Sequence, residues 1–319
     1  MRVARKIIVL RESSLDGVWT LPRFIVRMGI EINDIWMTER LDFFDIPNRN
    51  ILTFIKPYLE NKFLTYLEFH IADTCNLNCR GCSHYASLAR KEHYPNIKFF
   101  ANDLQMLHLR IEDILIIRIL GGEPLLNRDI EEYIKVTRKF YPQSELWIVT
   151  NGLLLMKMPD SFYETLLEER CKIGISFYPA LTDKIQEICV FLKNRNISCY
   201  VSPMIKEFIL SRTINPRDDK VEDIFLNCAS ATCNNLYEGK IAACYLPFVT
   251  KYFNSYFKQN FPEDGQIDLY DSKLTTAELK QKLMMPFENC RYCLDSSEYI
   301  KIPWSSLKYP SCLSDWIAM

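Results

Sequence analysis

The chain has 319 residues, enough for one large or two modest domains, and with 48% hydrophobic residues it can bury a substantial core. Its 39 Lys and Arg almost cancel its 40 Asp and Glu, which removes the bulk positive charge that nucleic acid or an anionic membrane would select. Twelve cysteines leave two readings, disulfides in an oxidising compartment or thiolate ligands in a reducing one.

In chain order, residues 1–62 form a mixed N-terminal extension of unassigned role, with an opening strand expected at Lys6–Leu10. The apolar run there ends after four residues at Arg11 and no small-residue cleavage site follows, so it does not read as a secretory leader. No stretch of 18 uninterrupted apolar residues occurs, so no membrane span is expected. The cysteines are therefore expected to be reduced, in a cytoplasmic protein, and to ligate metal.

Residues 63–215 alternate β-rich runs with helical stretches. Strands are predicted at Tyr66–Ile71, Ile114–Leu120, Glu145–Thr150, Lys172–Phe177 and Ser198–Ser202. Helices are predicted at Asn127–Phe140, Asp160–Glu169 and Thr182–Lys193. Strands spaced by helices of this length imply βαβ units, a parallel sheet and an α/β fold. After the first strand comes Cys75-Asn-Leu-Asn-Cys79-Arg-Gly-Cys82, a C-x3-C-x2-C loop. Three thiolates in one loop can cap three irons of a cubane and leave the fourth open to a ligand. A zinc site would want a fourth donor, and His84 is the nearest candidate. Gly121-Gly122-Glu123-Pro124 ends the second strand, Thr150-Asn151-Gly152 the third and Ser176 the fourth. Paired glycines allow close backbone approach, and Glu123 can accept a charge-assisted hydrogen bond from an ammonium. Sites of α/β sheets gather at such strand ends.

Residues 216–319 follow the polar stretch Asn215–Lys220 and are dense in cysteine: Cys228, Cys233, Cys244, Cys290 and Cys293. Glu238-Gly239 between Leu236-Tyr237 and Lys240-Ile241 predicts a hairpin turn. Cys171, Cys189, Cys199 and Cys312 sit singly among apolar neighbours and read as small buried hydrophobes.

The loop after a first strand, its Gly-Gly-Glu-Pro companion and the Thr-Asn-Gly turn together resemble the radical S-adenosylmethionine (SAM) superfamily. The resemblance implies a partial (βα)6 TIM-like barrel over residues 63–215. It implies a [4Fe–4S] cluster on Cys75, Cys79 and Cys82. It also implies a SAM site that includes Gly121, Gly122, Glu123, Pro124, Thr150, Asn151 and Ser176. One departure is Gly81, where the superfamily commonly has an aromatic residue near the adenine; Leu77 and Tyr85 are the candidates to replace it. The hairpin glycine, Cys244 and the distant Cys290-x2-Cys293 resemble SPASM and Twitch auxiliary-cluster domains. That implies a second cluster on Cys228, Cys244, Cys290 and Cys293. Cys233 is left as an alternative ligand, a hydrogen-atom donor or a buried cysteine.

Cys79-Arg-Gly-Cys82-Ser-His84-Tyr, Leu236-Tyr-Glu-Gly-Lys-Ile-Ala-Ala-Cys244 and the closing Ser314-Asp-Trp316 look like radical SAM proteins of polysaccharide gene clusters. The implied reaction is reductive cleavage of SAM to a 5′-deoxyadenosyl radical. Hydrogen abstraction from a carbohydrate-type substrate would follow, ending in dehydrogenation or epimerisation, with electrons from a flavodoxin or ferredoxin. A ribosomally made peptide is the alternative substrate. A zinc-binding interaction module without catalysis is the alternative of another class.

Overall fold

The structure is a computed structural model that describes residues 62–89, 91–307 and 311–319; the strand expected at Lys6–Leu10 lies outside them. Five strands run parallel: β1 (Phe63–His70), β2 (Asp113–Leu120), β3 (Glu145–Thr150), β4 (Cys171–Ile175) and β5 (Cys199–Val201). Helices α1 (Ile97–His108), α2 (Ile130–Phe140), α3 (Asp160–Glu168) and α4 (Ile185–Asn194) connect them. This is the α/β architecture expected from the alternation, a mostly parallel sheet with helices on one face.

The sequence dictates that face. In β1, Leu67 and Phe69 alternate with Glu68 and His70, so two apolar side chains point one way and two polar ones the other. The apolar side packs with Phe100, Leu104 and Leu107 of α1 and with Ile130, Tyr133 and Ile134 of α2. The buried α2 positions Ile130, Tyr133, Ile134 and Thr137 follow the i, i+3, i+4, i+7 stripe of a core-facing helix.

The Cys-rich region adds to the same sheet rather than forming a detached layer. Beyond α5 (Val221–Asn227), β7 (Asn235–Tyr237) lies parallel to β1, pairing Glu68 with Asn235 and Phe69 with Leu236. It turns through Glu238 and Gly239 into antiparallel β8 (Lys240–Ala242), with β9 (Ile267–Asp268) at the edge. Both turn residues have positive φ, 45° and 76°, the two-residue hairpin conformation whose twist matches the strands. The sheet order is β5-β4-β3-β2-β1-β7-β8-β9, continuous across residue 215.

A second pair, β6 (Glu207–Leu210) and β10 (Ile300–Pro303), is antiparallel and stands apart from that sheet. Helix α6 (Leu246–Phe257) centres a second core with Tyr85, Phe261, Trp316 and Ile317. Helix α7 (Thr276–Leu283) is closed by a Thr275–Glu278 capping box.

Candidate active site

The three cysteines of the C-x3-C-x2-C loop leave β1 at its C-terminal end, and the turns after β2 and β3 are sewn to them. Gly122 N donates to Ala72 O at 2.6 Å and Glu123 N to Thr74 O at 2.9 Å. A Cβ on Gly121 would sit 2.3 Å from Ala72 O, and one on Gly122 2.2 Å from Thr74 O. The glycines thus admit the cysteine loop's own backbone. Glu123 is fully buried and brackets the next turn. It accepts from Leu125 N at 3.0 Å, Thr150 Oγ1 at 2.7 Å and Asn151 N at 2.9 Å. Burial nonetheless pushes its carboxyl up to about 7, because three neutral donors do not replace a counter-cation. Pro124, also buried, opens the turn that follows.

Asn151 closes the ring of contacts. Its Nδ2 lies 3.5 Å from Cys75 Sγ and 2.7 Å from Asn76 Oδ1. Ser176 N donates to Thr150 O at 2.9 Å, so the end of β4 is tied to the same turn. The structure therefore gathers Cys75, Gly121–Pro124, Thr150, Asn151 and Ser176 at adjoining strand ends.

The C-terminal segment covers the loop from the other side. Trp304 Nε1 donates to Cys79 Sγ at 3.2 Å, Arg80 N to Ser305 O at 3.0 Å and Leu307 N to Asn78 O at 2.7 Å. Arg80 Nε meets Asp315 Oδ1 at 2.8 Å. Gly81 is held under this cover, where a Cβ would stand 2.8 Å from Ile302 Cδ1. Tyr85, one candidate to replace the missing aromatic, is instead buried in the second core against Phe253 and Trp316. Two rings reach the thiols from outside the loop, Tyr178 and Trp304, stacked with centroids 6.4 Å apart. Burial and then the thiols of Cys82, Cys79 and Cys75 raise the Tyr178 hydroxyl's pKa. Sequence reasoning missed both residues. Tyr178 lay two positions past Ser176, and Trp304 reaches Cys79 from 225 residues away, a separation that local pattern cannot bridge.

Cys75, Cys79 and Cys82 are free thiols. Burial pushes Cys75 and Cys79 up to about 12, and Cys82 also upward; Cys82 and Cys79 add to the shift of Cys75, and Cys82 to that of Cys79. Alone they are protonated at neutral pH, so metal binding must displace their protons. Among the described residues, no three His, Cys, Asp or Glu groups gather closely enough to hold one metal ion. Three thiolates from one loop, each able to take its own iron, are a donor set that fits a four-iron cluster. His84 stacks between His70 and Tyr245, at 5.7 and 4.4 Å, and burial holds its pKa near 3.

The second set assembles as well. Cys228, Cys244, Cys290 and Cys293 line one small cavity under Phe225, Leu246 and Phe287. Cys244 feels burial first and then Cys290, Cys228 and Cys293, all raising it. Burial pushes Cys293 up to about 12 while the neighbouring Arg212 guanidinium opposes the shift. Cys233 does not line that cavity. Its carbonyl accepts from Asn235 Nδ2 at 3.1 Å, and its thiol acts on Tyr66, on the opposite face of β1 from the helices. Of the single cysteines, Cys171 is buried and Cys189 and Cys199 pack against the core. Cys312 departs from expectation: it is exposed, its Sγ 3.1 Å from Asp315 Oδ2, because it opens the final turn.

Residues 69–189 match the Radical SAM superfamily model. Among curated relatives, the chain is 27% identical over 173 residues to the GTP 3′,8-cyclase of Clostridium botulinum, covering 51% of this chain and 52% of the relative. It is 28% identical over 131 residues to that of Alkaliphilus oremlandii, covering 41% and 40%. The chain thus spans about half the length of the first of these relatives and less of the second. Among solved structures, it is similar to BtrN in complex with AdoMet and 2-DOIA at TM-score 0.44 and 14% identity, covering 74% of this chain and 95% of that one. It is similar to anSMEcpe with bound AdoMet at TM-score 0.46 and 13% identity, covering 72% and 82%. Likeness of that degree assigns neither substrate nor reaction.

Proposed function

This chain belongs to the radical SAM superfamily through residues 69–189, and on that premise we propose that Cys75, Cys79 and Cys82 hold a [4Fe–4S] cluster with SAM at its fourth iron. Cys228, Cys244, Cys290 and Cys293 hold an auxiliary cluster, and the substrate is of carbohydrate type. The observation that carries the reading is the hydrogen-bonded ring of the cysteine loop, Glu123 and Asn151 at adjoining strand ends. When bound, cluster and SAM supply a 5′-deoxyadenosyl radical, which takes a hydrogen atom from the substrate.

The chain's own residues orient and exclude water, as proteins do around reactive cofactors. Glu123 is poised to accept from the SAM ammonium, a counter-cation its present donors lack. Thr150 and Asn151 fix the Glu123 carboxylate from one side, and Asn151 also donates toward Cys75. Ser176, tied to Thr150 O, offers its hydroxyl at the next strand end. Tyr178 and Trp304 supply the flat apolar surface that Gly81 cannot. Cys233, outside the four-cysteine cavity, is the thiol available to return a hydrogen atom in an epimerisation. In a dehydrogenation the auxiliary centre would instead take the electron. A flavodoxin or ferredoxin in the cytoplasm supplies the reducing electron. The carbohydrate reading rests on the likeness of the Cys79–Tyr85 and Leu236–Cys244 segments to proteins of polysaccharide gene clusters.

Anaerobically purified protein should contain about eight iron and eight sulfide per chain, and with dithionite should convert SAM to 5′-deoxyadenosine. Cys79→Ala should keep about half the iron and lose that conversion. A colourless protein that carries only zinc would sink both clusters. A full complement of iron after combined replacement of Cys228, Cys244, Cys290 and Cys293 would sink the second.

A further inference from the structure

A cavity of about 450 Å³ opens between the start of α1 and the tip of the β7–β8 hairpin. It shares no residue with the cysteine loop, the Gly121–Pro124 turn or the Thr150–Asn151 turn. We propose that this cavity is a binding site for a small organic ammonium ion.

The charge on its walls is negative. Asp103 and Glu238 line it, and among the described residues no lysine or arginine does. Asp103 is 4% exposed and has no ion-pair partner among the described residues; its Oδ1 accepts from Tyr270 Oη at 2.7 Å. Glu238 reaches His93 Nε2 at 2.8 Å, near the rim, where both side chains are 46% exposed. A carboxylate as buried as Asp103, held only by neutral donors from Tyr270 and the Gly239 backbone, wants a cation.

The floor provides a polar group without a partner. His70 is 2% exposed and lines the cavity, and its Nδ1 has no hydrogen-bond partner. Its Nε2 stands 3.0 Å from Asp73 Oδ1. Asp73 also accepts from Tyr237 Oη at 2.7 Å and from Tyr252 Oη, so it is a committed acceptor. Nε2 is the ring nitrogen turned to Asp73, and Nδ1 is left without a partner. A buried polar atom without a partner is costly in a finished core but ordinary in a site that waits for a ligand.

Aromatic faces complete the wall: Tyr94, Phe99, Tyr133 and Tyr237. Phe99 lines the cavity and is 64% exposed. Ring faces attract cations and also pack an apolar skeleton. Carboxylates and ring faces together select a group that is positive, rich in N–H donors and carried on carbon.

The test is calorimetric titration of the full-length protein with cyclohexylammonium, cyclohexanol and cyclohexanecarboxylate, which share a skeleton and differ in charge. The ammonium should bind and the other two should bind at least tenfold more weakly. Asp103→Asn and, separately, Glu238→Gln should each weaken ammonium binding severalfold with iron content unchanged. The Glu238 variant sits at an exposed hairpin tip and guards against misfolding of the first. Equal binding of cyclohexanol, no binding of the ammonium, or full affinity in both variants would overturn the site. None of these outcomes bears on SAM cleavage, which is measured independently.

Discussion

Glu123 is where burial and chemistry meet most sharply at a single residue. A carboxyl with an ordinary pKa of 4.5 is raised to about 7 because its charge is taken out of water among neutral donors. The sign follows from linkage. The fold prefers the protonated form, so the stability Glu123 contributes is complete below pH 4.5 and is lost as pH rises through about 7. A shift of that size corresponds to about 3 kcal/mol. Urea unfolding of the metal-free chain at pH 5 and pH 8 should therefore show a fall in stability that Glu123→Gln largely removes. An unchanged pH slope in the variant would mean that the burial penalty lies elsewhere. The residue itself was legible in the sequence as part of Gly-Gly-Glu-Pro. Its bracket to Thr150 and Asn151 was not, since those partners stand 27 and 28 positions away.

At the scale of elements, the strand ends do the assembling. β2 delivers its Gly-Gly turn into backbone contact with the segment leaving β1, and the contact distances leave no room for a side chain. Gly122→Ala should break the Gly122 N–Ala72 O and Glu123 N–Thr74 O bonds and cost about 1–3 kcal/mol, the usual range for overpacking. Thermal unfolding beside wild type, with iron uptake measured in parallel, would check it; an alanine variant of wild-type stability would refute the close-approach argument. The strands and helices of residues 63–200 were readable because period 2 and period 3.6 are local properties of the chain. The Glu238-Gly239 turn was readable for a similar reason, since two residues with positive φ dictate it. What periodicity did not reveal is that β7 would dock parallel to β1. That pairing joins the Cys-rich region to the main sheet through Glu68 and Asn235, 167 residues apart.

For the whole molecule, the C-terminal segment is a strap over the cysteine loop. β10 pairs with β6, Arg80 holds Asp315, and Trp304 donates to Cys79 Sγ. Hydrogen bonds to cluster sulfurs raise the reduction potential of such centres, and solvent exposure tunes it. Trp304→Phe keeps the ring and deletes the donor. The cluster proposed on Cys75, Cys79 and Cys82 should then titrate at a more negative potential in an electron-spin-resonance redox titration, while the one proposed on the second cysteine set stays where it was. A potential that does not move, or that moves at both centres alike, would show that the strap has no specific hold on Cys79.

The sequence by itself marked the candidates for metal and cofactor, because C-x3-C-x2-C, Gly-Gly-Glu-Pro and C-x2-C are contiguous patterns that can be read without the fold. It also determined the alternation of strand and helix that sets those motifs at strand ends. Only the tertiary structure decided that Cys228, and not Cys233, shares a cavity with Cys244, Cys290 and Cys293. It alone brought Tyr178 and Trp304 to the thiols and left His70 facing a cavity without a partner for its Nδ1. The reason is physical: burial and long-range pairing depend on how distant segments share one core, and that sharing leaves no mark in the local spacing of residues.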